Sequence, residues 1–127
     1  MTAPHPRRWI GRWIAIIGLI HFVLGFFIYQ EAWAQIAGRG IVASVRDYDR
    51  SATAFWFAAF APPTMIIGGL VDHFEKLGDQ LPSWLGWGMA ALVVALIVPM
   101  PMTGAWLLVP PTLALLVRSR RRPPLSR

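Results

Sequence analysis

The stretch "WIGRWIAIIGLIHFVLGFFIY", residues 9–29, decides the fold class of this chain. It is apolar or small apart from Arg12, His21 and its terminal aromatic residues. At about 1.5 Å per residue, a helix of this length reaches roughly 30 Å, which is the thickness of the hydrocarbon core of a bilayer. The stretch therefore predicts a membrane-spanning helix.

The composition of the whole chain agrees with a membrane location. Of its 127 residues, 56% are hydrophobic and 14% are charged, whereas soluble domains carry about 25% charged residues. Such a chain lacks the polar residues to cover a soluble surface. It also has no cysteine, which excludes disulfides, thiolate nucleophiles and Cys-ligated metal sites.

Three further apolar segments follow, at about residues 52–71, 84–98 and 103–117. The last two are shorter than the roughly 17 residues that a span needs. The "PMPMTG" between them predicts a tight turn, because its prolines and glycine disrupt a continuous helix. Two short spans and a re-entrant hairpin are both open. The prediction is an all-α integral membrane four-helix bundle, with two full-length spans plus a short helical hairpin.

The whole chain, 1–127, is predicted to form a single membrane domain with flexible basic tails at 1–8 and 119–127. Nine of the twelve basic residues fall on one side of the four predicted spans, and only Arg39, Arg46 and Arg50 fall on the other. By the positive-inside rule, both termini lie in the cytoplasm. A cleaved signal peptide ending at "AWA" (32–34) is the alternative for the first segment.

The arginine-rich tail after the last segment predicts contact with anionic lipid head groups, through Arg118, Arg120, Arg121 and Arg122. We prefer this interpretation to nucleic-acid binding because the cluster directly follows a predicted span. The lipid bilayer is therefore a predicted partner, and nucleic acid is not.

Residues 30–51 form the most polar part of the chain, and they predict an amphipathic segment on the outer interface with a break at "GRG" (38–40). Asp47 and Asp49 offer carboxylates for a metal, but a self-paired charge cluster that caps the next helix is the preferred interpretation. No metal site and no cofactor are predicted.

Small residues form a stripe along the first helix. Gly11, Gly18 and Gly25 share one face, and His21 lies on the same face. A matching face on the second helix contains Gly68, together with Ala54, Ala58 and Ala61. Because lipid gives no hydrophobic drive between helices, close contacts of small residues are expected to hold them together.

His21 is predicted to be neutral and to need a hydrogen-bond partner inside the bilayer. Prolines 62, 63, 110 and 111 lack an N–H and so free carbonyl groups four residues earlier in a helix. These carbonyls form a predicted intramembrane polar site with His21, and they belong to Ala58, Ala59, Trp106 and Leu107. A bond from His21 to Thr64, Thr112 or a buried water is the open alternative. Either bond would give His21 a structural role, as a polar link between helices, rather than a catalytic one.

The loop "VDHFEKLGDQLPSW", residues 71–84, contains several ionisable groups. Asp72 and Glu75 share one helical face, whereas His73 lies elsewhere. The preferred interpretation is a helix that ends in water at Gly78, followed by Pro82 at the start of the next helix.

Four blocks of the sequence resemble a known family: "RWIGRWIAIIGLIH", "AFWF", "GGLVDHFEKLGDQLPSWLGW" and "PMTGAWLLVPP". They are similar to a family of small bacterial membrane proteins of unknown function with four predicted spans, over residues 8–116. Pro62-Pro63 departs from that pattern. The resemblance implies a multi-pass protein of the bacterial cytoplasmic (inner) membrane, and it implies no activity.

Two classes of function are compatible with the sequence. No catalytic motif is present, so the chain is predicted not to be an enzyme. The preferred function is a non-enzymatic accessory protein or self-associating bundle, with a homo-oligomer or a membrane-protein partner. The alternative is a carrier or sensor that holds a small ligand or proton near His21.

Overall fold

The computed structural model describes residues 8–40, 44–45, 50–78, 81–99, 101 and 104–120. Every regular element within these residues is helical, which confirms the predicted all-α class. The elements in chain order are α1 (Ile10–Ile28), α2 (Gln30–Arg39), α3 (Arg50–Ala59), α4 (Ala61–Leu77), α5 (Ser83–Ile97), a 3₁₀ helix (Gly104–Leu108) and α6 (Val109–Arg120).

Two helical stretches are long and apolar enough to cross a membrane. They are Ile10–Ile28, with 19 residues, and Arg50–Leu77, with 28 residues. The second comprises α3 and α4, which are separated only at Phe60. The break lies just before Pro62 and Pro63, whose missing N–H groups remove two backbone hydrogen bonds from the helix. The helix continues past the predicted end of the apolar span at residue 71 to Leu77, and Gly78, where the sequence predicts its end, follows with a φ of +71°.

Two shorter apolar helices follow, Ser83–Ile97 and Gly104–Ser119. They correspond to the predicted hairpin segments 84–98 and 103–117. α5 and α6 pack closely, because a Cβ built at Gly86 would lie 3.2 Å from Cδ2 of Leu116. The arrangement as four membrane-crossing segments stays a prediction.

The described residues fall into two compact units. The first comprises residues 1–14 and 68–127, and the second comprises Ala15–Ile67. The buried apolar residues of the first unit are mostly large, including Ile10, Ile14, Val71, Met89 and Leu115, with Ala105 as a small exception. Those of the second unit are alanines, which let helices approach closely: Ala32, Ala54, Ala58 and Ala61.

The polar segment after α1 continues as a helix. Backbone hydrogen bonds run through the junction, from Tyr29 N–H to the Gly25 carbonyl (3.2 Å) and from Trp33 N–H to the Tyr29 carbonyl (3.0 Å). The helix ends before Gly40, whose φ of +90° is in the region that glycine accepts at little cost. The break thus falls in the predicted "GRG". Asp47 and Asp49, the carboxylates considered for a metal, lie outside the described residues.

Candidate functional site

In the second unit, two glycines of α1 lie against neighbouring side chains. A Cβ at Gly18 would lie 2.7 Å from Cγ of Met65, and a Cβ at Gly25 would lie 2.9 Å from Cδ1 of Phe57. Both distances are shorter than normal carbon–carbon contacts. The nearest obstructing atom belongs in each case to a side chain, which can move, although a Cβ at Gly18 would also lie 3.1 Å from the Met65 backbone nitrogen and 3.2 Å from the Ala61 carbonyl oxygen.

In the first unit, Gly11 lies against backbone. A Cβ there would overlap the carbonyl oxygen of Gly68 and the backbone of Asp72. Because backbone at a helix contact cannot shift without displacing the whole helix, this is the tightest of the α1 glycine contacts that the structure describes. Gly11 and Gly68, two of the four residues predicted for helix packing, therefore meet directly.

His21 lies among aromatic rings in the second unit. Its imidazole stacks on Phe57, with ring centroids 3.9 Å apart and planes at 16°, and it meets Phe60 edge-on at 5.6 Å. The ring is also within hydrogen-bonding reach of the Phe57 backbone. Phe57 and Phe60 flank Ala58 and Ala59 in the sequence. The carbonyls of these two alanines were predicted to form a polar site with His21.

A carbonyl freed by proline does receive a side-chain donor, and the donor is a tryptophan. The Leu107 carbonyl lies three residues before Pro110 and four before Pro111, so neither the 3₁₀ nor the α pattern supplies an N–H to it. Nε1–H of Trp13 donates to this oxygen at 3.0 Å. Trp106, the other predicted member of the polar site, donates its indole N–H to the Pro101 carbonyl at 2.8 Å.

The two threonines considered as partners of His21 bond to their own helices. The Thr64 hydroxyl donates to the Phe60 carbonyl at 2.9 Å, and the Thr112 hydroxyl donates to the Leu108 carbonyl at 2.7 Å. Threonine commonly makes this bond to the carbonyl four residues earlier. In both places the threonine follows directly after a proline pair.

The described structure also contains a buried charge cluster that the sequence interpretation missed. The Glu75 carboxylate accepts a hydrogen bond from the backbone N–H of Gly11 through Oε2 (3.0 Å) and contacts Nη1 of Arg118 through Oε1. Gly11 is the second residue of α1, so its N–H has no intrahelical acceptor. Glu75 therefore acts as an N-terminal cap for α1 although it belongs to α4.

Asp72 lies one turn before Glu75 and binds two cations. Its Oδ1 is 3.3 Å from Nε of Arg12, and its Oδ2 is 2.7 Å from Nζ of Lys76. The predicted stop of this helix at Gly78 and the start of the next one after Pro82 are confirmed. The expectation that Asp72 and Glu75 face water is wrong, because both carboxylates are engaged by the protein. The acidic spacing on one helical face was the available signal, but the sequence did not show that α1 and α6 present cations to it.

The structure gives Arg118, one of the four predicted head-group ligands, a partner within the protein. Nothing is described of the side chain of Arg120, and Arg121 and Arg122 lie outside the described residues. Among the described residues, no group of three His, Asp or Glu side chains is placed to hold a metal ion.

A cavity of about 250 Å³ lies in the second unit at the start of α2 and α3. Its lining is mostly polar and consists of Ile28, Tyr29, Gln30, Glu31, Ala32, Gln35 and Arg50. His21 is not among these residues, so the cavity does not correspond to the predicted intramembrane pocket.

Residues 5–122 match a family of unknown function, DUF6463. The chain belongs to this family. The match covers all the helices described above, and it confirms the expected membership of a family without a known activity. Comparison with curated proteins and with solved structures found no match.

Proposed function

We propose that this protein is a multi-pass integral membrane protein of the bacterial cytoplasmic membrane, with both termini in the cytoplasm. The observation that carries the proposal is the large apolar surface of its longest helices. Only 28% of the apolar window of α1, and 33% of that in the α3–α4 stretch, is buried inside the protein. The exposed apolar side chains of α1 include Ile16, Leu19, Ile20, Phe22, Val23, Leu24, Phe26 and Phe27.

A membrane explains this surface better than water does. Apolar burial is worth about 25 cal/mol per Å², so a soluble protein would gain free energy by covering such side chains with its own chain. The core helix of a soluble domain is mostly buried, whereas a helix in lipid can leave its apolar side facing the acyl chains.

Extraction of membranes with alkaline carbonate tests the membrane assignment. The proposal predicts that the protein stays in the pellet after carbonate treatment and enters solution only with detergent. Release by carbonate alone would contradict it.

We further propose that the protein is a non-enzymatic accessory protein, which associates with a second copy or with another membrane protein. Support comes from the hydrogen-bond partners of its polar side chains. The buried carboxylate of Glu75 and the hydroxyls of Thr64 and Thr112 bond to groups of the protein itself. His21 contacts phenylalanine rings, whereas a carrier site would need several polar groups around it.

Native mass spectrometry of detergent-extracted protein tests this role. A complex with a second copy or with another membrane protein is expected. A monomer would contradict the accessory role, and a monomer with a bound small molecule that is lost in His21→Leu would establish the carrier alternative.

A further inference from the structure

Two cations from different helices converge on one carboxylate in the first unit. Arg12 lies in the first turn of α1, Lys76 lies in the last turn of α4, and both contact Asp72. The Asp72 side chain is only 15% exposed, whereas the side chains of Arg12 and Lys76 are 62% and 51% exposed. The acid is therefore covered by protein, and the two cations form the accessible surface.

The charges of this group do not cancel. One carboxylate faces two cations, and the neighbouring Glu75 is already engaged by Arg118 and by the Gly11 N–H. The ion pair with Asp72 runs through Nε of Arg12, and the guanidinium carries two further nitrogen atoms as donors. Two cations close together repel each other, so a second anion on their exposed side would stabilise the arrangement.

The surroundings of the pair indicate which anion this would be. Trp13 follows Arg12 directly, and its indole is held by the Leu107 carbonyl. Trp9 packs edge-on against it at 6.2 Å. Tryptophans at the end of a membrane helix favour the head-group region, where the phosphates of anionic lipids attract exposed Lys and Arg side chains.

We propose that Arg12 and Lys76, positioned by Asp72, bind the phosphate group of an anionic lipid in the cytoplasmic leaflet. This site is built on α1 and α4, and its two cations are not among the arginines of the tail at 118–122. It rests on the proposed function, since only a protein inserted with this orientation brings these residues to that leaflet.

The test is thermal unfolding of the purified full-length protein in detergent micelles. Added phosphatidylglycerol should raise Tm by about 5 °C when it saturates the site, as expected for a ligand that binds only the folded state. Phosphatidylcholine should leave Tm unchanged. Inorganic phosphate should also have no effect, and an equal rise with it would overturn the assignment to a lipid.

The double variant Arg12→Gln with Lys76→Gln should lose the rise in Tm. The matched control is Arg8→Gln with Arg120→Gln, which removes the same charge from the same side of the membrane and should keep most of the rise. An equal loss in both variants would mean general attraction of basic residues to anionic lipid, and it would overturn the site.

Removing both cations leaves Asp72 without its counter-ions, so the double variant could fail to fold. A triple variant that adds Asp72→Asn removes this problem and should fold without responding to phosphatidylglycerol. If it retains the wild-type rise, the proposal is wrong. Failure of the proposed function would appear differently, as release of the protein by carbonate.

Discussion

The indole of Trp13 shows how a single residue can compensate for a defect in another helix. Pro110 and Pro111 deprive the Leu107 carbonyl of both helical donors, and Trp13 supplies one at 3.0 Å. This bond is exposed, and a hydrogen bond of this kind contributes about 1 kcal/mol to stability. The bond therefore links the start of α1 to the 3₁₀ helix that precedes α6.

Replacing Trp13 by phenylalanine should remove this donor and keep most of the ring. We expect Trp13→Phe to lower the stability of the folded state by about 1 kcal/mol, because the hydrogen bond to the Leu107 carbonyl is lost. Thermal unfolding in detergent measures the change. Trp84→Phe, at an exposed tryptophan, is the matched control and should have little effect.

A second substitution should repair the first. Pro111→Ala restores the N–H that an α-helix would direct at the Leu107 carbonyl, so Trp13→Phe should cost less in a Pro111→Ala background than in the wild type. Equal costs in both backgrounds would mean that the hydrogen bond from Trp13 does not stabilise the protein.

Glu75 is the other residue on which several elements depend. Glu75→Gln keeps an acceptor for the Gly11 N–H but leaves Arg118 without the charge of its partner. Breaking a buried pair by altering one member costs about 3 kcal/mol. Glu31→Gln changes an exposed acid and should shift Tm little. A Tm for Glu75→Gln within about 2 °C of that control would contradict this prediction.

The sequence predicted the need for these bonds better than it predicted their partners. Proline chemistry shows that a carbonyl near residue 107 lacks a donor, whatever the tertiary structure. The choice between His21 and Trp13 depends on the relative depth of two helices, and counting residues from an assumed boundary leaves an error larger than one helical turn. For the same reason, the sequence placed Asp72 and Glu75 on one face without revealing their cations.

At the scale of elements, the backbones of α1 and α4 meet where both helices have glycine. A Cβ at Gly11 would overlap the Gly68 carbonyl and the backbone of Asp72, whereas the nearest atoms to a Cβ at Gly18 and Gly25 belong to side chains, with backbone no nearer than 3.1 Å at Gly18. The loss of stability caused by a glycine-to-alanine substitution along α1 should therefore depend on the atoms that the new methyl group contacts.

Gly11→Ala should destabilise the protein most, by about 3 kcal/mol, because overpacking against backbone forces a shift of the helix. Gly18→Ala should cost less, since the Met65 side chain can move and the backbone atoms there lie at 3.1 Å or more. Gly69→Ala is the control, because a Cβ at Gly69 meets nothing within 4 Å. Equal Tm values for Gly11→Ala and Gly69→Ala would show that the two helices are not in close contact at Gly11.

The positions of the helices were largely predictable from apolar runs and from proline and glycine. The end of the second long stretch followed from Gly78 and not from hydropathy. Hydropathy ends the apolar segment before its first charged residue, Asp72, whereas the helix continues to Leu77, and Arg12, Lys76, Arg118 and the Gly11 N–H contact its acids. Hydropathy averaged along one segment does not detect ion pairs between helices.

At the scale of the whole molecule, the apolar surface and the charges of the chain support one account. The surface of α1 and of the α3–α4 stretch suits lipid, and nine of twelve basic residues fall on one side of the proposed spans. Family membership leaves the activity open. The account therefore depends on whether the apolar surfaces of α1 and of the α3–α4 stretch lie in the membrane.

Labelling of single cysteines with a membrane-impermeant maleimide in intact cells tests this most directly, and the chain has no native cysteine to remove. Gly38→Cys, in the exposed polar segment, should react, and Ser126→Cys should react only after the membrane is opened. Ile66→Cys is decisive, because Ile66 is 70% exposed on the protein and lipid should still protect it after the membrane is opened. Reaction of Ile66→Cys as fast as Gly38→Cys would contradict the membrane account.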